Sequence, residues 1–222
     1  MNSDKLKLIL SILEEYKSEL PKHGWYPRDG LSLEWWAGLK DSFHIILTAI
    51  LVMRTRWVLA ERVFNKLREL GLDKPSVLAK MNYEDLALKL TGINFKLDKA
   101  RVIVEISRII EDLNISEPVE NLRIRLLKIK GVGRETIDSI LLYAFNKPTI
   151  PVSNQTKRVL ERLGIKLGSY ERARAQILEV ANKDIYSLKL LHASMTAIAR
   201  DYCKPKKPKC NKCPLRGICS YQ

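Results

Sequence analysis

The chain has 222 residues, of which 46% are hydrophobic, so it can bury a core and is not expected to be disordered over most of its length. Its 39 lysines and arginines exceed its 25 aspartates and glutamates, which gives a formal net charge of +14. This excess favours a polyanionic partner over an acidic protein or a neutral small molecule. Nucleic acid is the first candidate, and an anionic membrane surface is the second.

No segment of the chain is predicted to cross a membrane. The longest apolar stretch, Ile45–Met53, has nine residues with a threonine among them, whereas a spanning helix needs about twenty. The N-terminus alternates charged and apolar residues and lacks the hydrophobic centre of a signal peptide. We therefore expect an intracellular protein of the cytoplasm or nucleoid, with no membrane partner.

The hydrophobic pattern predicts an all-α fold, because apolar residues recur every three or four positions and alternating strand patterns are nearly absent. The first predicted helix carries an apolar stripe from Leu6 to Tyr16 and is limited by Pro21. Residues 23–40 are aromatic and interrupted by proline and glycine, so they are expected to form an irregular arm.

Ten further helices are predicted after this arm. Their ranges are 42–53, 57–70, 75–80, 83–90, 97–113, 119–129, 134–145, 154–163, 170–182 and 186–201. The helix at 42–53 is apolar on every side, and a helix of that kind must lie in the centre of a bundle.

A possible phosphate-binding hairpin lies between the helices at 119–129 and 134–145. Its turn reads Lys130, Gly131, Val132, Gly133 and Arg134. The glycines let the backbone come close to a ligand, and the second helix directs unpaired N–H groups outward. An ordinary tight turn fits the glycines equally well, but the surrounding basic residues favour contact with a DNA backbone.

All four cysteines of the chain lie near its C-terminus, at Cys203, Cys210, Cys213 and Cys219. In a reducing compartment such a group indicates metal ligands more than structural disulfides. Zinc sites commonly use two Cys-x-x-Cys pairs, and only one is present here. The irregular spacing therefore favours an iron-sulfur cluster, with zinc and redox disulfides as alternatives.

A glycine hairpin about seventy residues before this cysteine spacing resembles the endonuclease III family of helix-hairpin-helix DNA glycosylases. The resemblance extends over nearly the whole chain, and residues 135–144 are most similar to the branch that includes the 3-methyladenine glycosylases. Other matching segments, in order, are 47–51 with Thr55 and Trp57, Lys99-Ala100, 148–152, 158–164, 191–193 and 210–215.

This resemblance implies a two-lobed helix-hairpin-helix DNA glycosylase fold with a C-terminal iron-sulfur cluster loop. Residues 36–150 would form a helical lobe that contains the hairpin, and residues 1–35 with 151–222 would form the cluster lobe. The four cysteines would bind one four-iron four-sulfur cluster. The partner would be double-stranded DNA, whose damaged base is flipped into a cleft of a monomeric protein before its glycosidic bond is cut.

Two positions that control the chemistry of the family differ in this sequence. Glu135 occupies the position of the lysine that forms a Schiff base in bifunctional members, and a carboxylate cannot form that imine. Ser153 occupies the position of the catalytic aspartate, and a hydroxyl group is uncharged at neutral pH. Ser153 is also a suitable N-cap for the helix that follows it. Glu135 is the best substitute for the aspartate, and Asp138, three residues further on the same helix, is a second candidate.

The segments that would contact the bases also depart from the family pattern. Met53 or Arg54 would fill the gap left by a flipped base, where the family usually has a glutamine. Trp25, Tyr26 and Trp57 are candidates for the base pocket, although aromatic residues in such segments are often packing residues. The resemblance implies monofunctional excision of a damaged base, in particular an alkylated one, in base excision repair. The alternative is a catalytically silent DNA-binding or lesion-binding protein that has lost the aspartate.

Overall fold

The computed structural model describes residues 3–221, and over this range it contains α-helices, short 3₁₀ helices and no β-strand. The α-helices are α1 (Ser3–Tyr16), α2 (Ser42–Leu51), α3 (Trp57–Glu69), α4 (Pro75–Leu78), α5 (Tyr83–Lys89), α6 (Lys96–Ile110), α7 (Val119–Leu127), α8 (Arg134–Tyr143), α9 (Asn154–Arg162), α10 (Tyr170–Val180) and α11 (Ile185–Asp201). The 3₁₀ helices are Lys17–His23, Leu33–Trp35, Cys210–Lys212 and Arg216–Ile218. The predicted all-α fold is confirmed.

Most of the helices end one to three residues before their predicted ends. Helix α7 shows the reason, because the N–H groups of Lys128 and Ile129 bond to carbonyls three residues back, at 3.3 and 3.2 Å. These bonds tighten the last turn into 3₁₀ geometry. The apolar pattern continues through such a turn, so it predicts the helical segment but not the residue at which α geometry stops.

The chain divides into two compact units. The central unit is one continuous segment, Lys40–Phe145. The terminal unit is discontinuous and combines the residues up to Leu39 with those from Asn146 onward. The hairpin predicted from the glycines belongs to the central unit, and all four cysteines belong to the terminal unit.

Helix α2 forms the core of the central unit, as its all-round apolar sequence predicts. Eight of its ten residues are buried, and it packs against α3, α6 and α8. Its first turn is capped by Asp41, whose carboxylate accepts the His44 N–H at 2.9 Å. Burying each large apolar side chain contributes about 1.5–3 kcal/mol, so α2 is a main source of stability for this unit.

Helix α11 has the same role in the terminal unit, where it packs against α1 and α9. Its central residues are buried, including His192, which also contacts the edge of the Trp25 ring at a centroid distance of 5.4 Å. Burial lowers the pKa of His192 to about 3, so its imidazole is neutral at physiological pH. The apolar stripe of α1 is buried at Leu6, Ile9, Leu13 and Tyr16.

The predicted arm is irregular but firmly attached within the terminal unit. The buried Lys189 of α11 donates from Nζ to the Ser32 carbonyl at 3.0 Å and to Asn146 Oδ1 at 2.6 Å. Asn146 in turn donates from Nδ2 to the Leu31 carbonyl at 2.7 Å. Trp35 is fully buried and donates from Nε1 to the Asp29 carbonyl at 2.9 Å. One lysine therefore holds both the arm and the start of the C-terminal segment.

Candidate nucleic-acid interface and cysteine cavity

The glycine turn is the most exposed part of the hairpin formed by α7 and α8. Gly131 has a φ of +97°, a conformation that L side chains rarely adopt. A Cβ atom built on Gly131 would lie 3.2 Å from Val102 Cγ2, whereas one on Gly133 would meet no atom within 4 Å. Position 131 thus requires glycine, because its φ is positive and because a Cβ atom would lie close to Val102. Gly133 leaves open space in front of α8.

The N-terminus of α8 is suited to bind an anion. Gly133 is its N-cap residue, and a glycine has no side chain that could accept a capping hydrogen bond from this end of the helix. Lys130 and Arg134 on either side of the turn are exposed to solvent. Backbone N–H groups, the helix dipole and two cationic side chains therefore lie at one turn. This is the arrangement that the sequence predicts for contact with a phosphate backbone.

Glu135 lies in the first turn of α8, directly after these groups. Solvent reaches its side chain, yet the protein around the carboxyl group removes enough water to raise its pKa above the ordinary value. A carboxyl group with a raised pKa is a stronger base when it is ionised. Glu135 therefore combines access to water with the proton affinity that a general base needs.

Asp138 lies one turn further along α8 and has a different environment. Its side chain is fully buried, and both of its oxygens accept hydrogen bonds from Arg123 of α7, at 2.8 and 3.1 Å. Such a two-point ion pair fixes the two hairpin helices to each other. Asp138 thus joins helices, and its carboxylate is turned away from water.

Ser153 is buried at the start of α9 in the terminal unit. Its hydroxyl oxygen accepts the Thr156 N–H at 3.0 Å and also lies 3.0 Å from Thr156 Oγ1. The predicted N-cap is therefore confirmed, and the hydroxyl group is engaged in it. Glu135 belongs to the central unit, so each of these two candidate residues is fixed by the packing of its own unit.

The segment predicted to fill a gap in the DNA is a short loop, residues 52–56, between α2 and α3. Met53 is half-buried, whereas Arg54 is exposed and has a φ of +50°. The Arg54 guanidinium lies 5.3 Å from the centroid of the Phe95 ring. Of the two candidates, the structure presents Arg54 to solvent.

The three candidates for the base pocket lie in different parts of the chain. Trp25 belongs to the terminal unit and packs edge-on against Trp36, with ring centroids 5.3 Å apart. Tyr26 follows it and is exposed. Trp57 begins α3 in the central unit and is half-buried. Trp25 therefore has a packing role within the arm, while Tyr26 retains an open side chain.

The four cysteines line one cavity of about 300 Å³ in the terminal unit, together with Arg162, Tyr202 and Tyr221. All four are free thiols. Burial, followed by the neighbouring cysteines, raises the pKa of the Cys213 thiol. Within residues 3–221, no three Cys, His, Asp or Glu side chains are arranged around the position of one metal ion. The cysteines surround a volume and do not converge on a point.

Arg162 lies on α9 and lines this cavity, and the sequence indicates it only through the matching segment 158–164. It donates from Nη1 to Cys203 Sγ at 3.3 Å and to the Lys204 carbonyl at 2.8 Å, and from Nη2 to the Pro205 carbonyl at 2.9 Å. Its guanidinium also lies 4.2 Å from the centroid of the Tyr221 ring. Arg158 of the same helix also donates from Nε to the Cys203 carbonyl at 2.9 Å. Two arginines of α9 thus hold the start of the cysteine loop.

The two helices joined by a glycine turn are the feature that gives helix-hairpin-helix proteins their name. The chain belongs to the HhH-GPD superfamily of base excision DNA repair proteins, whose family model matches residues 47–183. The predicted membership in an endonuclease III-like helix-hairpin-helix family is therefore confirmed, while the similarity to the 3-methyladenine glycosylase branch stays a prediction.

Individual relatives agree with this assignment. The chain is 32% identical to endonuclease III of Thermotoga maritima over 82% of this chain and 84% of that protein. It is 28% identical to a putative DNA repair glycosylase of Methanocaldococcus jannaschii over 99% of both chains. The fold is similar to that in a structure of a trapped endonuclease III–DNA covalent intermediate, with a TM-score of 0.72, 24% identity, and coverage of 97% of this chain and 96% of the other.

Among the described residues, none of the helices has the length and apolar character that a membrane crossing requires.

Proposed function

We propose that this protein is a monofunctional DNA N-glycosylase that removes an alkylated base from double-stranded DNA. The observation that carries the proposal is the position and environment of Glu135, a solvent-accessible carboxyl group with a raised pKa, one residue after the basic glycine turn. The same position in lysine-bearing relatives would hold the nucleophile. A carboxylate there leaves hydrolysis as the available reaction, because it cannot form an imine with the sugar.

The hairpin supplies the contact with DNA in this proposal. The N–H groups at the start of α8 bind one phosphate, while Lys130 and Arg134 add attraction to the backbone on either side. These contacts carry no sequence information, which suits a protein that must act at any position in a genome. The phosphate contact and Glu135 lie on the first turn of the same helix. Binding of the phosphate therefore fixes the position of Glu135 relative to the sugar.

Glu135 then acts on the sugar of a base that has left the duplex stack. The bond between C1′ and the base nitrogen breaks, and its electron pair leaves with the base. The ionised carboxylate stabilises the positive charge that develops on the sugar. A water oxygen bonds to C1′, and its proton passes to Glu135. An alkylated purine is already cationic, so it leaves readily and demands less stabilisation than a neutral base.

The four-cysteine cavity is the proposed site of one four-iron four-sulfur cluster. Four free thiols line a single cavity of about 300 Å³, which suits a group of several atoms better than one zinc ion. Arg162 contributes an N–H donor to the Cys203 sulfur, as expected for a cluster thiolate. When bound, the cluster would supply cross-linking of the C-terminal loop. The lysines of that loop would add positive charge for contact with DNA. The protein would act on DNA as a monomer.

A second function is favoured by one observation, the engagement of the Ser153 hydroxyl in a helix cap. If the family aspartate is indispensable, the protein binds lesions without cutting them. Ser153→Asp tests this sharply because aspartate is as good an N-cap as serine, so the variant adds a carboxylate and keeps the cap. Ser153→Asn is the matched control, since asparagine caps the helix without a negative charge.

The deciding experiment measures release of free base from duplexes that contain 7-methylguanine or 3-methyladenine. Release by the wild type, with no covalent enzyme–DNA adduct after borohydride treatment, is the result expected of a monofunctional glycosylase. Binding without release by the wild type, and release by Ser153→Asp but not by Ser153→Asn, would support the silent binding protein instead.

A further inference from the structure

The loop of residues 52–56 is fixed by a residue that lies far from it in the sequence. Lys99 of α6 has only 1% of its surface exposed. Its Nζ donates to the Leu51 carbonyl at 2.7 Å and to Thr55 Oγ1 at 2.6 Å. Leu51 is the last residue of α2, and Thr55 lies near the start of α3. One ammonium group therefore binds both sides of the loop.

These two bonds have the strength needed to hold a loop in place. Burial lowers the pKa of Lys99 to about 8, so at pH 7 the group is mostly charged. Hydrogen bonds from a charged donor are stronger than neutral ones, and a buried donor that loses its acceptors has no water to replace them. The ammonium also neutralises the negative end of the α2 dipole, where carbonyls lack helical partners.

The loop held in this way has a strained conformation at its tip. Arg54 has a φ of +50°, in the left-handed region that a non-glycine residue adopts only when its surroundings require it. Its guanidinium lies over the ring of Phe95, whose own φ is +55° and which is the N-cap residue of α6. Lys99 lies one turn further along the same helix. The N-terminus of α6 thus contacts the loop at its tip and at both of its ends.

We propose that Lys99 is a positioning residue that holds the 52–56 loop so that Arg54 enters the gap left by a flipped base. This inference depends on the proposed function, since it assigns a step of base flipping. A preorganised loop inserts without first losing conformational freedom, which increases affinity specifically for duplexes that contain a gap. Lys99 does not touch the DNA, and its effect is transmitted through the loop.

The test compares Lys99→Met with Lys96→Met. Both variants remove one positive charge from the start of α6, but the Lys96 side chain is exposed. The first measurement is limited proteolysis with trypsin, which cleaves after Arg54 and Arg56 only when the loop opens. We expect these two cleavages to be at least about tenfold faster in Lys99→Met than in the wild type, and unchanged in Lys96→Met.

The second measurement is the ratio of the affinities for a duplex with a tetrahydrofuran abasic site and for an undamaged duplex. Lys99→Met should lower this ratio about tenfold, while Lys96→Met lowers both affinities together and leaves the ratio unchanged. Thr55→Val, which removes one of the two acceptors, should give a smaller change in the same direction in both measurements. It keeps the proposal testable if Lys99→Met does not fold.

The outcomes separate the inference from the proposed function. Cleavage at Arg54 and Arg56 that is as slow in Lys99→Met and Thr55→Val as in Lys96→Met would overturn the anchoring. Faster cleavage with an unchanged affinity ratio would overturn the assigned role in gap filling. A wild type that does not prefer the abasic duplex at all would contradict the proposed function itself, whatever the proteolysis shows.

Discussion

Glu135 and Asp138 lie one turn apart on α8, and their carboxyl groups have opposite environments. Asp138 is buried and bonded at both oxygens to Arg123, so its charge stabilises the hairpin. Glu135 is accessible to solvent and has a raised pKa because the surrounding protein removes part of its hydration. One carboxylate therefore contributes to structure, and the other is available for chemistry.

Glu135→Gln should abolish base excision while leaving the affinity for undamaged DNA unchanged. Only the charge is removed, and the charge acts on the sugar in the transition state and not in the ground state. Single-turnover release of 7-methylguanine and a binding titration on an undamaged duplex provide the two measurements. Excision at the wild-type rate would exclude Glu135 as the base.

The raised pKa of Glu135 also predicts two pH effects of opposite sign. Excision requires the ionised form, so its rate should fall as the pH drops through a value above the ordinary range for glutamate. Stability follows the reverse trend, because the folded state holds this proton more tightly than the unfolded state does. The contribution of Glu135 to stability is present at low pH and lost as the pH rises through its folded-state pKa. Thermal melts of the wild type and Glu135→Gln should therefore diverge as the pH rises toward this pKa, with the variant the more stable protein, and the difference should stay constant at higher pH.

Asp138→Asn should instead destabilise the protein strongly. It removes the negative charge that accepts both hydrogen bonds from the buried Arg123 guanidinium, and breaking a buried ion pair from one side costs about 3–5 kcal/mol. Urea unfolding gives the free energy, and Glu135→Gln is the matched control on the same helix. The double variant Arg123→Met, Asp138→Leu should recover a large part of the loss, since it buries no charge. A small effect of Asp138→Asn on stability would contradict the structural role.

At the scale of elements, the two glycines of the hairpin turn are not equivalent. Gly131 has a φ of +97°, and its missing Cβ would lie close to Val102, whereas Gly133 has a φ of −98° and open space around it. The first glycine shapes the turn, and the second leaves room in front of the α8 N-terminus. The pair therefore shapes the turn at one position and leaves open space at the other.

Gly131→Ala should destabilise the protein by about 1–2 kcal/mol, because alanine is strained at a positive φ. Gly133→Ala should leave the stability nearly unchanged, but its methyl group should weaken DNA binding by occupying the approach to the helix terminus. Unfolding curves and binding titrations on both variants test this difference. Equal loss of stability in the two variants would contradict the different roles assigned to Gly131 and Gly133.

The sequence predicts the elements well where the information is local. The all-round apolar pattern of α2 identifies the core of the central unit, and Ser153 is predicted and observed as the cap of α9. No local sequence pattern predicts a contact between residues that are far apart in the chain. Arg123 and Asp138 are 15 residues apart, and Lys99 lies 48 and 44 residues from its two acceptors. Charged residues such as these could equally have been solvated, because only packing brings them together.

At the scale of the whole molecule, the cysteine cavity predicts the iron and sulfide content of the purified protein. Protein purified without oxidative damage should contain about four iron and four sulfide ions per chain. Stoichiometric zinc without sulfide would contradict the cluster. Cys213→Ser should increase amide hydrogen exchange in the 203–219 loop far more than in α2, because the proposed cluster would replace a hydrophobic core only in that loop. Equal exchange changes in both regions would indicate general unfolding.

The discontinuity of the terminal unit has a consequence for synthesis on the ribosome. The central unit, Lys40–Phe145, emerges as one segment and can fold while translation continues. Helix α1 cannot bury its apolar stripe until α11 has been synthesised, because it packs against that helix. At about 5–20 residues per second, the interval between the end of α1 and the end of α11 is roughly 10–40 s. During this time α1 of the nascent chain exposes an unpaired hydrophobic face, the kind of surface that chaperones bind.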